Sequence, residues 1–585
     1  MIPAEPLRSL CYIPQPIKPA VPSRMTEFEH RPMHDRIYPV RWVSLGLMLV
    51  AAAYLVPGLV GHDPWKQDEA YSFGIIYNMY LTGDLVVPTL AADPFMEKPP
   101  AYYITAVGLL HLLDGWLPLH DAARLATAIY LAIAFLFTGL LARATWAEGF
   151  AAPALILLMS SLGLVQHGHY MITDTALTAG MAMAFYGLVR SRSGSLWGGV
   201  WLGTGAGLAF MSKGLLGPGI IAVSALLLPA MFASWRGPCL FKALLVASVA
   251  ASPWVFVWPM ALYFRDYELF MLWFWDNNFG RYFGTVGLGP PTQDLFWLRT
   301  FPWVTFPLFP LAIWTLWRLR QGVFANEGVR VALAVSLVGW GVLFASQTGR
   351  DLYAMPLLAP LAVIAAGAIH LLPRWVVMGC YWISALLFGA LAVVLWWLWL
   401  HGLIVGAPPQ LAILGRYLSL DFAPTWQWTA VLSALLLQLG WVWVLLRFRP
   451  PSPSALLAWP AGLMLIWGLA ATLHLPWIDH AKSYRSVFVE LAQALPPDVN
   501  CVADLDDMRL RESERGMLHY VAGLSTEHIQ HPEDTRCDII LVEARIRHHG
   551  TDVDLGSGWE RIWQGSRPAD SRDLFILFKR TANSH

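Results

Sequence analysis

Residues 63–100 read DPWKQDEAYSFGIIYNMYLTGDLVVPTLAADPFMEKPP, directly after the first long apolar segment of the chain. The stretch holds Asp63, Asp68, Glu69, Asp84, Asp93 and Glu97 with Lys66 and Lys98, in surroundings that are nearly all hydrocarbon. Charge kept beside a membrane span is costly at the bilayer boundary, which marks the cluster as a candidate functional site. The plainer alternative is a solvated loop. Within it, YSFGIIYNMYL is a short amphipathic run suited to lying on a membrane surface. Lys98-Pro99-Pro100 then stops the chain, and AYYITAVGLLHLL begins a second run.

The composition agrees with a membrane setting. Of 585 residues, 57% are hydrophobic and only 13% charged, where soluble domains carry about 25%. Mean hydropathy is +0.51. Lys+Arg equals Asp+Glu, 39 against 39, so no global charge points to a nucleic-acid partner. Many of the 30 Trp suit aromatic belts at the two interfaces. The 5 Cys show no CxxC pair and no metal-ligand spacing. Cys501 and Cys537 share a polar C-terminal region, where a disulfide is compatible with an oxidising compartment. Residues 1–40 are polar and rich in Pro and Arg, with no cleavable signal pattern. Residues 1–24 read as lead-in, with Met25 as an alternative start.

Apolar segments recur at 42–60, 101–113, 122–142, 151–167, 175–190, 196–212, 214–234, 240–262, 300–317, 329–347, 354–372, 375–402, 426–446 and 455–475. Spanning takes about 20 residues, so the 101–113 run is too short and reads as an interfacial helix. That leaves about 13 spans. With the N-terminus inside, every inner loop carries Arg: Arg143, Arg190 and Arg192, Arg236, Arg318, Arg320 and Arg330, Arg374, Arg447 and Arg449. Counting 101–113 as a span would invert the later loops and break this positive-inside pattern. The aromatic loop at 263–299 suits a further outer interfacial helix.

From residue 477 the composition turns to that of a small soluble domain. SVFVELAQAL and RESERGMLHYVAG read as helices, and NCVADL, CDIILVEA and DLFILFKR as strands, a compact α/β unit without a Gly-rich phosphate loop. The expected architecture is thus an α-helical polytopic membrane protein with outer interfacial helices and a C-terminal α/β domain. Its parts are a cytoplasmic segment at 1–40, a transmembrane catalytic body at 41–476 and a periplasmic domain at 477–585.

This topology places Asp68, Glu69, Glu97, Lys98, Asp174, Lys213, Arg281 and Arg350 on one face. Carboxylates can take a proton from an acceptor hydroxyl; Lys and Arg can hold a phosphate and stabilise it as it leaves. A lipid or sugar-lipid transporter is the alternative, since intramembrane charge also marks transport pathways. Inverted repeats would favour transport, and the sequence shows none. The plainer readings are helix caps for Asp68 and Asp174, a surface ion pair for Glu97 and Lys98 and a snorkelling Lys213. For Arg281 and Arg350 they are headgroup anchors. His167 and His169 lack a third ligand at metal spacing and read as interfacial histidines.

At these residues the chain resembles a known family. DEAY at 68–71, TGDLVVP at 82–88 and FMEKPP at 95–100 resemble the first outer loop of bacterial aminoarabinose transferases, within the protein-mannosyltransferase-like group of GT-C glycosyltransferases. Y-x-x-x-D-T at 170–175 is similar to their second acidic loop. GLAFMSKG at 207–214, W-x-N-N-F-x-R-Y-F at 275–283 and RDLYAMPLLAPLA at 350–362 continue the likeness in order.

The resemblance implies an inverting transfer of a sugar from a polyprenyl phosphate such as undecaprenyl phosphate. The implied acceptor is lipid A, another glycan or a protein, outside the bacterial inner membrane. It implies Asp68 and Asp174 as the catalytic carboxylates of the two loops. Lys98, Arg281 and Tyr353 fall near the carrier phosphate, with Arg350 helping and Glu69 and Lys213 also binding substrate. Glu97 matches a residue that can bind a divalent ion in the family. Asn277 stands where those relatives often carry His, a departure at the metal position.

Overall fold

Each apolar segment downstream of residue 100 forms helix in the computed structural model, which describes residues 48–581 apart from 49, 290, 498, 500 and 551. The segment 1–40, the choice between Met1 and Met25, and the beginning of the first span lie outside the described residues. Six described helices are individually long and apolar enough to cross a bilayer. They are Leu119–Thr145, Pro238–Arg265, Glu327–Ala345, Arg374–Val405, Trp428–Arg447 and Pro453–Ala470. The helix Ala101–Leu113 has 13 residues, about 20 Å at 1.5 Å per residue, short of a hydrocarbon core of about 30 Å.

Other apolar segments are broken or packed inside. The 151–167 segment is two helices, Ala151–Met159 and Leu162–His167, and the 300–317 segment is also two, Phe296–Val304 and Leu308–Arg318. The breaks answer each other: Leu162 N donates to Phe306 O at 3.0 Å. That pairing is needed where no water is at hand for freed backbone groups. The helices Thr173–Ser191 and Leu196–Lys213 cross closely, and a Cβ on Gly187 would stand 2.3 Å from Leu202 N, the small-residue contact typical of membrane helices. The helices Pro238–Arg265, Arg374–Val405 and Trp428–Arg447 leave Val249, Phe256, Leu386 and Leu436 exposed, as lipid-facing surfaces do.

The C-terminal region is an α/β unit. After a short outer-loop hairpin of β1 (Thr89–Leu90) and β2 (Asp93–Pro94) come β3 (Val502–Leu505), β4 (Thr526–Ile529), β5 (Ile539–Arg545), β6 (Trp559–Gly565) and β7 (Asp573–Arg580). The last five form one sheet in the order β4-β3-β5-β7-β6. The β4-β3-β5 part is parallel; β7 and β6 are antiparallel. The helices Arg485–Ala494 and Glu512–Ala522 match the expected runs, while β4 and β6 were not read from the sequence. Cys501 and Cys537 are disulfide-bonded.

One expectation is corrected. The run at 71–81 does not lie on the membrane surface. It belongs to the helix Asp68–Thr82, buried along most of its length, as a helix apolar nearly all round must be. Its cover is the helix Glu512–Ala522. A Cβ on Gly74 would stand 2.7 Å from the Gly516 Cα, so two glycines set the crossing. A single apolar cluster runs from Phe73, Ile76, Tyr102 and Leu110 into Phe488, Met517, Leu541 and Phe575. Ion pairs rim it: Asp63 with Arg485, Lys66 with Glu514 at 3.1 Å and with Asp573 at 2.9 Å, and Asp93 with Arg515.

Candidate active site

Six separate places in the chain deliver the charged residues: the helix Asp68–Thr82, the loop of Glu97 and Lys98, the helices Thr173–Ser191 and Leu196–Lys213, and the segments of Arg281 and Arg350. Asp68 is the first residue of the helix Asp68–Thr82, and its side chain caps nothing there. Arg350 grips it with both nitrogens, Nη1 at 2.7 Å. The Tyr71 hydroxyl, one turn along the same helix, donates to Asp68 Oδ1 at 2.8 Å and accepts from Lys98 Nζ at 2.6 Å. Burial pushes the Asp68 carboxyl up, but the charges of Lys98 and Arg350 and the bonds from Arg350 and Tyr71 outweigh it and hold it at about 2. Burial pushes the Lys98 amine down. The carboxylates of Glu97, Asp68 and Asp174 outweigh that and raise it above its ordinary value.

Asp174, on the first turn of Thr173–Ser191, is ion-paired with Lys213. Its Oδ2 is buried and has no hydrogen-bond partner among the described residues, which leaves an acceptor oxygen to spare. Lys213 also lies 3.8 Å above the Tyr353 ring. The turn after Lys213 needs Gly214: its φ is +66°, and a Cβ would stand 2.1 Å from Asn278 Oδ1. Asn278 instead accepts from Leu215 N at 2.9 Å, tying this turn to the outer loop. There a nine-residue π-helix, Leu272–Gly280, runs straight into Arg281. Such wide turns recur at functional sites. Arg281 Nη1 meets Glu97 Oε1 at 2.6 Å, and Arg281 Nη2 donates to the Tyr353 hydroxyl at 3.4 Å.

These side chains line one end of a cavity of about 340 Å³. Glu97, Lys98, Lys213, Arg281 and Tyr353 form the polar end. Leu215, Leu216, Ile220, Val223, Val342 and Leu343 form an apolar flank. Three cations against one carboxylate beside a hydrocarbon wall suit a phosphate on a lipid tail. Asp68 and Asp174 do not line it; they stand behind Tyr71 and Lys98, and behind Lys213. Arg350 lines a neighbouring cavity of about 530 Å³ with Gln166, Arg299 and Asp351.

Glu69 is not with them. It is fully buried against Arg124, whose Nε donates to Glu69 Oε1 at 2.8 Å, and it accepts from Trp65 N at 3.1 Å. It therefore fastens the loop and has no face on the cavity. His169 bonds to Tyr54 O at 2.8 Å, and His167 lies 3.1 Å from Asp351, each with a partner of its own. Nor do the residues around Glu97 fit a resident divalent ion. Arg281 and Lys98 crowd that carboxylate, Lys98 at 3.7 Å, and Asn277 and Asn278 offer only neutral amides.

Tyr71 and Arg124 were not singled out in the sequence. Tyr71 stands three residues after Asp68, the spacing at which helix neighbours meet. Arg124 is a lone charge at the start of an apolar segment, a signal in itself.

No family model matches the chain. Curated relatives bear out the resemblance seen in the outer-loop motifs. The undecaprenyl phosphate-alpha-4-amino-4-deoxy-L-arabinose arabinosyl transferase 1 of Pseudomonas fluorescens is 26% identical over 359 residues, 57% of this chain and 60% of that one. Transferase 2 from another strain of that species is 28% identical over 455 residues, 74% and 71%. The Pseudomonas aeruginosa transferase is 29% identical over 342 residues, 56% and 59%. The chain thus spans about 60% of the length of the first curated relatives it matches. Among solved structures, ArnT from Cupriavidus metallidurans bound to undecaprenyl phosphate superimposes with a TM-score of 0.66 at 16% identity, covering 93% of this chain and 99% of that one. Its apo state gives 0.64, covering 92% and 97%. The fold is that of the GT-C enzymes, and the chain is a multi-pass membrane protein of the bacterial inner membrane.

Proposed function

We propose that the chain transfers a sugar from a polyprenyl phosphate to an envelope acceptor such as lipid A, another glycan or a protein. The observation that carries this is the convergence of Lys98, Lys213 and Arg281 with Tyr353 at the polar end of an apolar cavity. The carrier phosphate sits among these cations and its tail follows the apolar flank. The acceptor comes from the neighbouring cavity, where Arg350 exchanges Asp68 for an anionic or hydroxyl group of the acceptor. The acceptor oxygen attacks the anomeric carbon from the face opposite the phosphate. The C–O bond to the phosphate breaks, its electron pair leaves with the phosphate oxygen, and Lys98 and Arg281 stabilise that charge. A hydroxyl acceptor gives up its proton to a carboxylate once Arg350 has let go. An ionised phosphate acceptor needs no base, and Asp68 then only orients it. The site and the C-terminal unit face the periplasm; the Cys501–Cys537 disulfide supports that side.

The test uses protein purified in detergent, where no membrane separates two compartments. Release of polyprenyl phosphate with stoichiometric glycosylation of an acceptor is the expected result; a transporter gives none. Charge-assisted bonds to phosphate contribute about 1.5–3 kcal/mol each, so Lys98→Ala and Arg281→Ala should each weaken undecaprenyl phosphate binding about tenfold or more. Parent-like binding by both variants would remove the phosphate from this cavity.

A further inference from the structure

A second cation-rich cavity, of about 340 Å³, lies where the outer loop meets the C-terminal sheet. Lys66, Arg511, Arg545, Arg547 and Arg572 line it, with Gln67 and a single carboxylate, Asp573. Its place in the sheet follows from topology. Arg545 ends β5, whose pairing with β3 is parallel, and its cross-strand partner is Asp573 at the start of the antiparallel β7. Arg511 lies six residues beyond β3. The cavity is therefore at the carboxyl ends of the parallel strands, where open α/β sheets bind ligands.

The inner and outer cations differ. Lys66 is held by Asp573 and Glu514, and Arg511 by Glu543 and Asp573. Those three buried carboxylates more than offset the two cations of the floor. At the rim, Arg545 and Arg547 have no carboxylate partner among the described residues. Arg572 has only a contact of 4.0 Å with Asp570, which already pairs with Arg567. Arg511 Nε is buried with no hydrogen-bond partner among the described residues. Two exposed guanidiniums without a carboxylate partner among the described residues and a third with only a 4.0 Å contact, over a floor whose cations are already paired, are a recognition surface for a phosphate, whose oxygens take paired N–H donors from arginine.

We propose that this cavity binds a phosphomonoester, on a lipid headgroup or a soluble sugar phosphate, separately from the carrier cavity. Arg545, Arg547 and Arg572 take its oxygens, with Arg511 at the inner wall. The position gives the site consequence: Lys66 and Gln67 directly precede Asp68, and Gln67 O accepts from the Ser513 hydroxyl at 2.9 Å. A phosphate seated here fastens the C-terminal sheet to the root of the Asp68 loop.

The experiment uses the full chain in a Lys98→Ala/Lys213→Ala/Arg281→Gln background, which removes all three cations of the carrier cavity, so that failure here is separable from failure of the transferase reading. Binding is measured with glucose 1-phosphate, and with nanodiscs that do or do not contain phosphatidic acid. Saturable binding is expected in at least one arm. Preference for phosphatidic acid assigns the site to a headgroup, and preference for glucose 1-phosphate to a soluble sugar phosphate. Arg545→Gln/Arg547→Gln/Arg572→Gln, all exposed and so compatible with folding, should weaken it at least tenfold. The matched control Arg536→Gln/Arg561→Gln/Lys579→Gln should leave it within twofold. No binding in either arm, parent-like binding by the rim variant, or equal loss in the control overturns the proposal.

Discussion

Asp68 is ionised yet fully engaged. At about 2 its carboxyl lies below the ordinary Asp value of about 3.9. A depressed pKa contributes stability above the unfolded value, and that contribution is lost only as pH falls towards the folded one. Neither turnover nor melting temperature should therefore carry an Asp68 titration between about pH 5 and 8. A base this weak also abstracts protons poorly until Arg350 leaves. We expect Asp68→Asn to lower turnover about 10²- to 10⁴-fold. It should lower the melting temperature as well, because Arg350 keeps its charge and loses its partner. Turnover and melting profiles from pH 5 to 8 check this. An acid limb in that window that vanishes in Asp68→Asn would overturn the low value. The same residues show what a sequence discloses. Lys98, Arg281 and Arg350 stand out because charge is scarce in this chain, and motif order places them on one face. Pairing is not legible: nothing local says that Arg350 grips Asp68 across 282 residues, or that adjacent Glu69 turns the other way to meet Arg124.

At the scale of elements, the helix Asp68–Thr82 is the clearest case of tertiary context overriding a local pattern. Its run of Phe, Ile, Tyr and Met suits a membrane surface, yet the helix Glu512–Ala522 covers it. The sign of that contact is Gly74, and a glycine inside a helix has many meanings. Gly74→Ala puts a Cβ 2.7 Å from the Gly516 backbone, and backbone cannot swing aside as a side-chain tip can. Overpacking of this kind costs about 1–3 kcal/mol. The variant should melt at a lower temperature and expose 512–522 to faster hydrogen exchange, with undecaprenyl phosphate binding retained. Unchanged exchange there would show the crossing to be slack. The missed strands have different causes. β4, Thr526–Ile529, is short, with Glu and His at its centre, and gives no apolar run. β6, Trp559–Gly565, does mix apolar and polar residues, but its bulge between Arg561 and Trp563 spoils the strict period.

For the whole molecule, the Arg in every inner loop set the expected orientation, and length removed 101–113 from the spans. The helix of 13 residues agrees with that length argument. Cys residues engineered at Leu85 and Glu533, both exposed, should react with a membrane-impermeant thiol reagent from outside the inner membrane, and one at Arg320 should not. Reaction of the outer pair only after the membrane is broken would invert the topology and move the site to the cytoplasm. What composition could not foretell is that the C-terminal sheet shares its apolar interior with the first outer loop.

That sharing sets a timetable. Gln67 waits for Ser513, 446 residues further along, and at about 5–20 residues per second a ribosome needs about 20–90 s to supply it. Through that interval the Asp68–Thr82 helix stands without its cover, next to a bilayer that can shelter its apolar side. The buried place of that helix is therefore completed late in synthesis, once the chain has been made past the helix Glu512–Ala522 that covers it.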